Sequence, residues 1–185
     1  MPIAYISGPM SGLPERNYPE FNRAAAFLRA HGFEVENPAE TPDPACGTQA
    51  GFMRVAIGQI LKVTVNVQLP GWEKSTGAVF EKHMCDVLNI PSIPYIEACQ
   101  LCAVPRLPQY CDTLLCEIQQ CTLNYGAWYA GKTDMLESDV KPVLRLSKKL
   151  ITLGLVQTIA SEDETLITTA LGDTYVRVML NAGSW

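Results

Sequence analysis

The chain opens with an apolar run, Ile3 to Ser7, which breaks into Ser7-Gly8-Pro9-Met10-Ser11-Gly12-Leu13-Pro14. A short apolar stretch that ends in glycine and proline is the pattern of a buried strand feeding a loop. Phe21, Ala24, Ala25 and Leu28 then share one face of a helix that Asn17 can cap and Gly32 can stop. Phe33 to Val35 reads as a second strand closed by Asn37-Pro38, and a polar, proline-containing loop runs on toward Thr48. Phe52, Ala56, Ile57, Ile60 and Leu61 recur at helical spacing before Val63 to Leu69, whose β-branched residues predict a third strand. Beyond Pro70-Gly71-Trp72-Glu73-Lys74, Ser75 is placed to cap a helix carrying Phe80, Met84, Val87 and Leu88 at helical period. Ile90 to Tyr95 makes a fourth strand.

Strands and helices alternating with short links predict an α/β fold: a parallel sheet with right-handed crossovers and helices on both faces. Ligands of such sheets bind at the carboxyl ends of the strands. Two unusual loops fall at that edge, Gly8 to Pro14 after the first strand and Pro70 to Gly77 after the third. Residues 1–96 are therefore read as one domain. From Ala98 the character changes to a cysteine-rich stretch, an aromatic cluster at Tyr125, Trp128 and Tyr129, and a helix from Ser138 to Leu153. Two short strands follow around the acidic turn Glu162-Asp163-Glu164, and a last helix spans Leu171 to Leu180. That order predicts a small α+β unit over residues 97–185, similar to a winged helix.

With 185 residues, 48% hydrophobic and 18% charged, the chain has enough apolar material for a real core and too much for disorder. The net charge of −5 argues against nucleic acid as a partner. No basic leader and no apolar run of about 18 residues is present, so a cytoplasmic protein with no membrane partner is expected. Seven cysteines fit a reducing compartment. Cys99-x2-Cys102 with Cys111, Cys116 and Cys121 is a conceivable zinc set, but only the first pair has knuckle spacing, and buried free thiols fit better. No metal is expected, and no cofactor: a dinucleotide fingerprint and a Walker loop are both missing. His31 and His83 carry no ligand pattern. Lys141, Arg145, Lys148 and Lys149 crowd one helix, where a solvated face is the plainer explanation than a phosphate-backbone contact.

The most informative stretch is Leu69-Pro70-Gly71-Trp72-Glu73-Lys74-Ser75-Thr76-Gly77-Ala78-Val79-Phe80-Glu81. Ser75 and Gly77 stand at a helix start, where free N–H groups favour an anion. A carboxylate one to two turns further in, Glu81, is positioned to act as a nucleophile on a sugar carbon. A solvated helix glutamate has the same spacing. In the first loop, Gly8 and Gly12 allow close backbone approach, while Tyr5 and Ser7 offer hydroxyls at the strand end.

Taken together, Tyr5-Ile6-Ser7-Gly8-Pro9-Met10-Ser11-Gly12, Asn17-Tyr18-Pro19-Glu20-Phe21, Asn37-Pro38-Ala39-Glu40 and the Leu69 to Glu81 block resemble a phage and prophage family of uncharacterised proteins. That family is similar to nucleoside 2-deoxyribosyltransferases and deoxynucleoside 5′-monophosphate N-glycosidases. The resemblance covers residues 1 to 96. It implies a flavodoxin-like or Rossmann-like sheet in a homodimer, with a nucleoside or nucleotide as ligand. Glu81 falls at the position of the nucleophile and Tyr5 at that of the hydroxyl that orients it. The ligand-binding positions fall on Ser7, Gly8, Pro9, Met10, Asn37, Trp72, Ser75 and Gly77. Ser75 occupies a position that is Asp in enzymes of free nucleosides and Ser in enzymes of 5′-monophosphates, which favours a phosphorylated ligand because a hydroxyl can donate to a phosphate that a carboxylate would repel.

The chain departs from that pattern near Ala56 and Thr64, where relatives carry Asp. An acid that helps the base to leave is worth about 10²- to 10⁴-fold in rate. Glu36, Glu40, Asp43 and Glu73 are possible substitutes. The expected function is thus an N-glycosidase or deoxyribosyltransferase acting on a 2′-deoxynucleoside 5′-monophosphate. The alternatives are a catalytically weak nucleotide-binding protein that sequesters or senses a signal, and a regulator whose C-terminal unit binds a protein or DNA.

Overall fold

A computed structural model describes residues 1–129, 137–160 and 165–180. The chain forms two compact units, Met1–Cys102 and Ala103–Leu180. The first is a flavodoxin-like α/β unit built on a four-stranded parallel sheet of order β2-β1-β3-β4. Its elements are β1 (Ile3–Ser7), α1 (Tyr18–Ala30), β2 (Glu34–Glu36), α2 (Gln49–Ile60), β3 (Val65–Gln68), α3 (Thr76–Val87), β4 (Ser92–Pro94) and α4 (Tyr95–Ala103).

Alternation along β1 and β3 sorts the side chains onto two faces. Tyr5 lies beside Asn66 and Ser7 beside Gln68, while Ala4 lies beside Val65 and Ile6 beside Val67. Tyr5 packs with Ala56 and Ile60 of α2, Val63, Cys85 of α3 and Ile90. The other face, with Ala4, Ile6, Val65 and Val67, is covered by α1 through Phe21, Ala24, Ala25 and Leu28, all buried. Burying each large side chain stabilises the unit by about 1.5–3 kcal/mol. The order in which strands are added reverses between β1 and β3, the switch point where open α/β sheets take their ligands.

Several elements differ from the reading of the sequence. Asn17 precedes α1, but its side chain makes no cap; Nδ2 donates instead to the Pro9 carbonyl at 3.0 Å, tying the first loop down. The fourth strand is only three residues long, and Tyr95 opens a helix. Pro91 and Pro94 fit before a helix start as readily as at a strand edge, which is why the strand seemed to continue. In α3 the stripe of Phe80 and Val87 is exposed, at 41% and 64%, and the buried residues are Ala78 and Cys85.

The second unit is α+β: α5 (Gln109–Tyr125), β5 (Trp128–Tyr129), α6 (Glu137–Thr152), β6 (Val156–Ala160), β7 (Thr165–Thr168) and α7 (Ala170–Tyr175), which runs into a wider π turn over Val176–Leu180. Its sheet is antiparallel, in the order β5-β7-β6. β5 extends the two strands read from the sequence. Trp128 is buried and its indole N–H donates to Glu117, whereas Tyr125 is exposed. Arg145, Lys148 and Lys149 are exposed on α6; the Lys141 side chain and the Glu162 to Glu164 turn lie outside the described residues. All seven cysteines are free, and the described residues contain no cluster able to hold a metal. Among the described residues no helix is long and apolar enough to cross a membrane.

Candidate functional site

A cavity of about 290 Å³ opens at the carboxyl edge of the parallel sheet. It stands at the lower end of small-molecule sites, about 300 to 1,000 Å³. Its wall is drawn from the loop after β1, the segment Pro38 to Pro44, α2, and the start of α3. Two glycines bring the loops together. A Cβ on Gly8 would lie 2.9 Å from the Leu69 Cβ, so only glycine lets β1 turn here without displacing β3's end. Gly71 has φ +82°, and a Cβ on it would touch the Pro9 ring at 3.7 Å.

Tyr5, Gly8, Met10, Ser75, Gly77 and Glu81 lie in the cavity wall. Ser7, Pro9, Asn37 and Trp72 do not. Ser7 is wholly buried, with no partner for its hydroxyl among the described residues. Asn37 is consumed by structure: Nδ2 donates to Asn22 Oδ1 at 2.9 Å and Oδ1 accepts from the Ala39 N–H at 3.0 Å. Pro9 lends its carbonyl to Asn17, and Trp72 begins the short turn Trp72–Lys74.

Tyr5 and Glu81, 76 residues apart, meet at the inner wall, where the Tyr5 hydroxyl donates to Glu81 Oε1 at 2.8 Å. Tyr5 is fully buried, so this carboxylate oxygen faces a dry hydroxyl rather than water. Burial pushes the Glu81 pKa up to about 7, and the Tyr5 hydrogen bond acts against that rise by favouring the carboxylate. The same burial, with the Glu81 charge beside it, holds the Tyr5 hydroxyl protonated far into the alkaline range. One turn on, the Cys85 thiol is pushed up to about 12, by burial first and by Glu81 second, and is unreactive. With its pKa raised toward neutrality, Glu81 can exist as acid or as carboxylate, one form able to donate a proton and the other to attack an electrophile.

At the outer end of α3, Ser75 caps the helix, its Oγ accepting from the Ala78 N–H at 3.3 Å. That leaves the hydroxyl proton free to donate and the first helical N–H groups open beside Gly77.

Residues 2–93 match a family model described as a domain of unknown function, DUF4406. The DUF4406 stretch contains every residue of the cavity wall, and the second unit lies outside it. Comparison with curated proteins found no match, and comparison with solved structures found none.

The two positions at which the resemblance leads one to expect acids separate here. Ala56 lies in the cavity wall. Thr64 does not: it precedes β3 at the amino edge of the sheet, where its Oγ1 accepts from the Ile3 N–H at 2.9 Å and donates back to the Ile3 carbonyl at 3.3 Å. An acid at 64 would stand at the wrong end of the strand. Of the four substitutes, Asp43 alone is in the wall; Glu40 is paired with Arg29 and Glu36 with Lys62, and Glu73 sits exposed in the Trp72–Lys74 turn.

The wall also holds Arg16, Met53 and Gln59, which carry no signal in the sequence pattern, and Phe52, which the helical spacing marked only as an apolar position. Gln59 Nε2 donates to Thr41 Oγ1 at 3.0 Å and to Glu36 at 3.3 Å. Arg16 belongs to a turn, Pro14–Asn17, in which Glu15, Arg16 and Asn17 all have positive φ. Nothing in Leu13-Pro14-Glu15-Arg16-Asn17 announces three left-handed residues in a row.

Proposed function

We propose that the protein is an N-glycosidase or deoxyribosyltransferase of 2′-deoxynucleoside 5′-monophosphates, with Glu81 as nucleophile. The observation that carries this reading is the buried Tyr5 hydroxyl held on Glu81 Oε1 inside a cavity sized for a small ligand. Tyr5 fixes Oε1 and leaves Oε2 to attack C1′. The C1′–N bond breaks, the base departs with its electron pair and takes a proton, and a glycosyl ester remains on Glu81. Water then hydrolyses the ester, or a second base displaces it and restores the carboxylate. A Tyr5 hydroxyl that donates to Oε1 favours the carboxylate needed at the outset, and the dry wall keeps that carboxylate weakly solvated and reactive.

The phosphate is assigned to the start of α3, where Ser75 can donate and the helix end is positive. The resemblance to the deoxyribosyltransferases further implies a homodimer.

A second reading, a nucleotide binder with little turnover, is favoured by Ala56. Where the resemblance leads one to expect an acid, the wall has a methyl group, and its remaining carboxylate besides Glu81, Asp43, is already paired with Arg16.

The test is incubation with a panel of 2′-deoxynucleoside 5′-monophosphates, chromatography for free base, and calorimetry on each nucleotide and its nucleoside. The enzyme reading expects base release that Glu81→Gln lowers by at least about 10³-fold with binding retained. The phosphate should add at least about 1.5 kcal/mol, a tenfold gain that Ser75→Asp removes. Base release unaffected by Glu81→Gln refutes the nucleophile; bound nucleotide without products leaves the binder.

A further inference from the structure

We infer that Arg16 is a specificity residue that grips the ligand's phosphate, and that Asp43 occupies its place in the free protein; this rests on the reading of the ligand as a 5′-monophosphate. The cavity wall among the described residues carries three charged groups, Glu81, Asp43 and Arg16. A phosphate monoester brings about −1.5 to −2 charges at neutral pH, and Arg16 is the one cation in the described wall to meet it. Helix-end N–H groups and a serine hydroxyl offset only part of such a charge.

The arrangement of Arg16 suits an exchange of partners. Its Nη1 contacts Asp43 Oδ2 at 3.0 Å and Oδ1 at 3.1 Å, and the Tyr18 hydroxyl at 3.4 Å. Nη2 and Nε make no hydrogen bond among the described residues, so most of the guanidinium fork is unspent. Both side chains of the ion pair are about half exposed, 52% and 55%, so water screens the pair and it opens at little cost. A phosphate offers the planar fork a geometry that one Nη1 on a carboxylate does not use.

The backbone keeps this cation on the cavity. Glu15, Arg16 and Asn17 have φ of +48°, +51° and +61°, a left-handed run that asparagine tolerates but Glu15 and Arg16 adopt rarely. The run is pinned by Asn17 on the Pro9 carbonyl, and the Arg16 guanidinium carbon stands 5.5 Å from the centre of the Phe52 ring, itself in the wall. A relaxed turn would free the side chain to leave the Phe52 platform; the strained one holds it there.

Two substitutions with opposite signs test the inference. Calorimetry would compare wild type, Arg16→Gln, Asp43→Asn and the double variant, each titrated with a 2′-deoxynucleoside 5′-monophosphate and with the parent nucleoside. Arg16→Gln should weaken the monophosphate by about tenfold, the loss expected of a charge-assisted contact, and leave the nucleoside unchanged. Asp43→Asn removes the competitor and should tighten the monophosphate severalfold, a gain that disappears in the double variant. If wild type prefers the monophosphate but neither variant alters that preference, or if Asp43→Asn weakens it, the role of Arg16 is refuted and the ligand reading stands. If wild type binds nucleoside and monophosphate equally, the ligand reading falls and this inference falls with it.

Discussion

The two ends of the parallel sheet are built from the same strands and treat their polar groups in opposite ways. At the amino edge, the Ile3 N–H donates to Thr64 Oγ1, the Ile3 carbonyl accepts from the Thr64 N–H at 2.8 Å and from Oγ1, and Pro2 accepts from the Glu34 N–H at 3.0 Å. At the carboxyl edge Ser7 Oγ and Gln68 Nε2 are buried without partners among the described residues, as is Asn66 Oδ1 one tier below. Glu81 is held there at a pKa raised to about 7 by burial. One edge is saturated and serves folding. The other keeps buried polar side chains without partners among the described residues, on the strands that bring Tyr5 into the cavity wall. A polar residue in this fold is therefore read first by the edge it occupies and only then by its type.

The strongest way to break this comparison is to move an acid between the edges. Ala56→Asp adds a carboxyl to the cavity wall and should raise base release, by as much as about 10²-fold, with nucleotide affinity unchanged. Thr64→Asp should raise nothing. Equal gains from both would erase the distinction.

Next in size is the thermal response of Glu81→Gln. A carboxyl with a folded pKa near 7 and an ordinary pKa of 4.5 when unfolded is protonated preferentially in the fold. Its ionisation costs stability that is absent below pH 4.5, grows between 4.5 and 7, and is full above 7. The Gln variant should melt close to wild type at pH 4 and several degrees higher at pH 8. A gain independent of pH would remove Glu81 from the desolvated wall.

The smallest effects compare two hydroxyl deletions. Thr64→Val strands the Ile3 N–H and should cost about 1–3 kcal/mol in denaturant unfolding, whereas Ser7→Ala removes an unpartnered hydroxyl and should cost less than about 0.5 kcal/mol. Reversal of that order would show that the carboxyl edge is the saturated one.

Much of the first unit was legible because its signals are local. The apolar run Ile3 to Ser7, the α1 stripe and the Ser75 cap each depend on a few neighbouring residues, and each is present. The α3 face was misread for a physical reason. Its inward stripe runs through Ala78, Glu81, Cys85 and Leu88, and the glutamate in the middle breaks the apolar period, so the eye settles on the exposed Phe80 and Val87 instead. The residue that carries the proposed chemistry thus hides the helix face on which it sits. Arg16 and Gln59 were illegible for another reason. They converge on the cavity from segments far apart in the chain, and Arg16 does so through a backbone turn that its side chains do not encode.

The register of β1 also bears on how the chain is made. Ala4 pairs with Val65, so the central strand β1 lacks one of its two neighbours until some sixty more residues have been added. At about 5 to 20 residues per second that is a delay of roughly 3 to 12 s. Its other neighbour, β2, pairs over only three positions. For that interval Ile3, Ala4, Tyr5 and Ile6 present an apolar edge with an open row of backbone donors and acceptors, a surface on which nascent chains can pair with one another. Slowing synthesis between residues 40 and 65 should therefore increase aggregation, whereas the same pause placed after residue 95 should not.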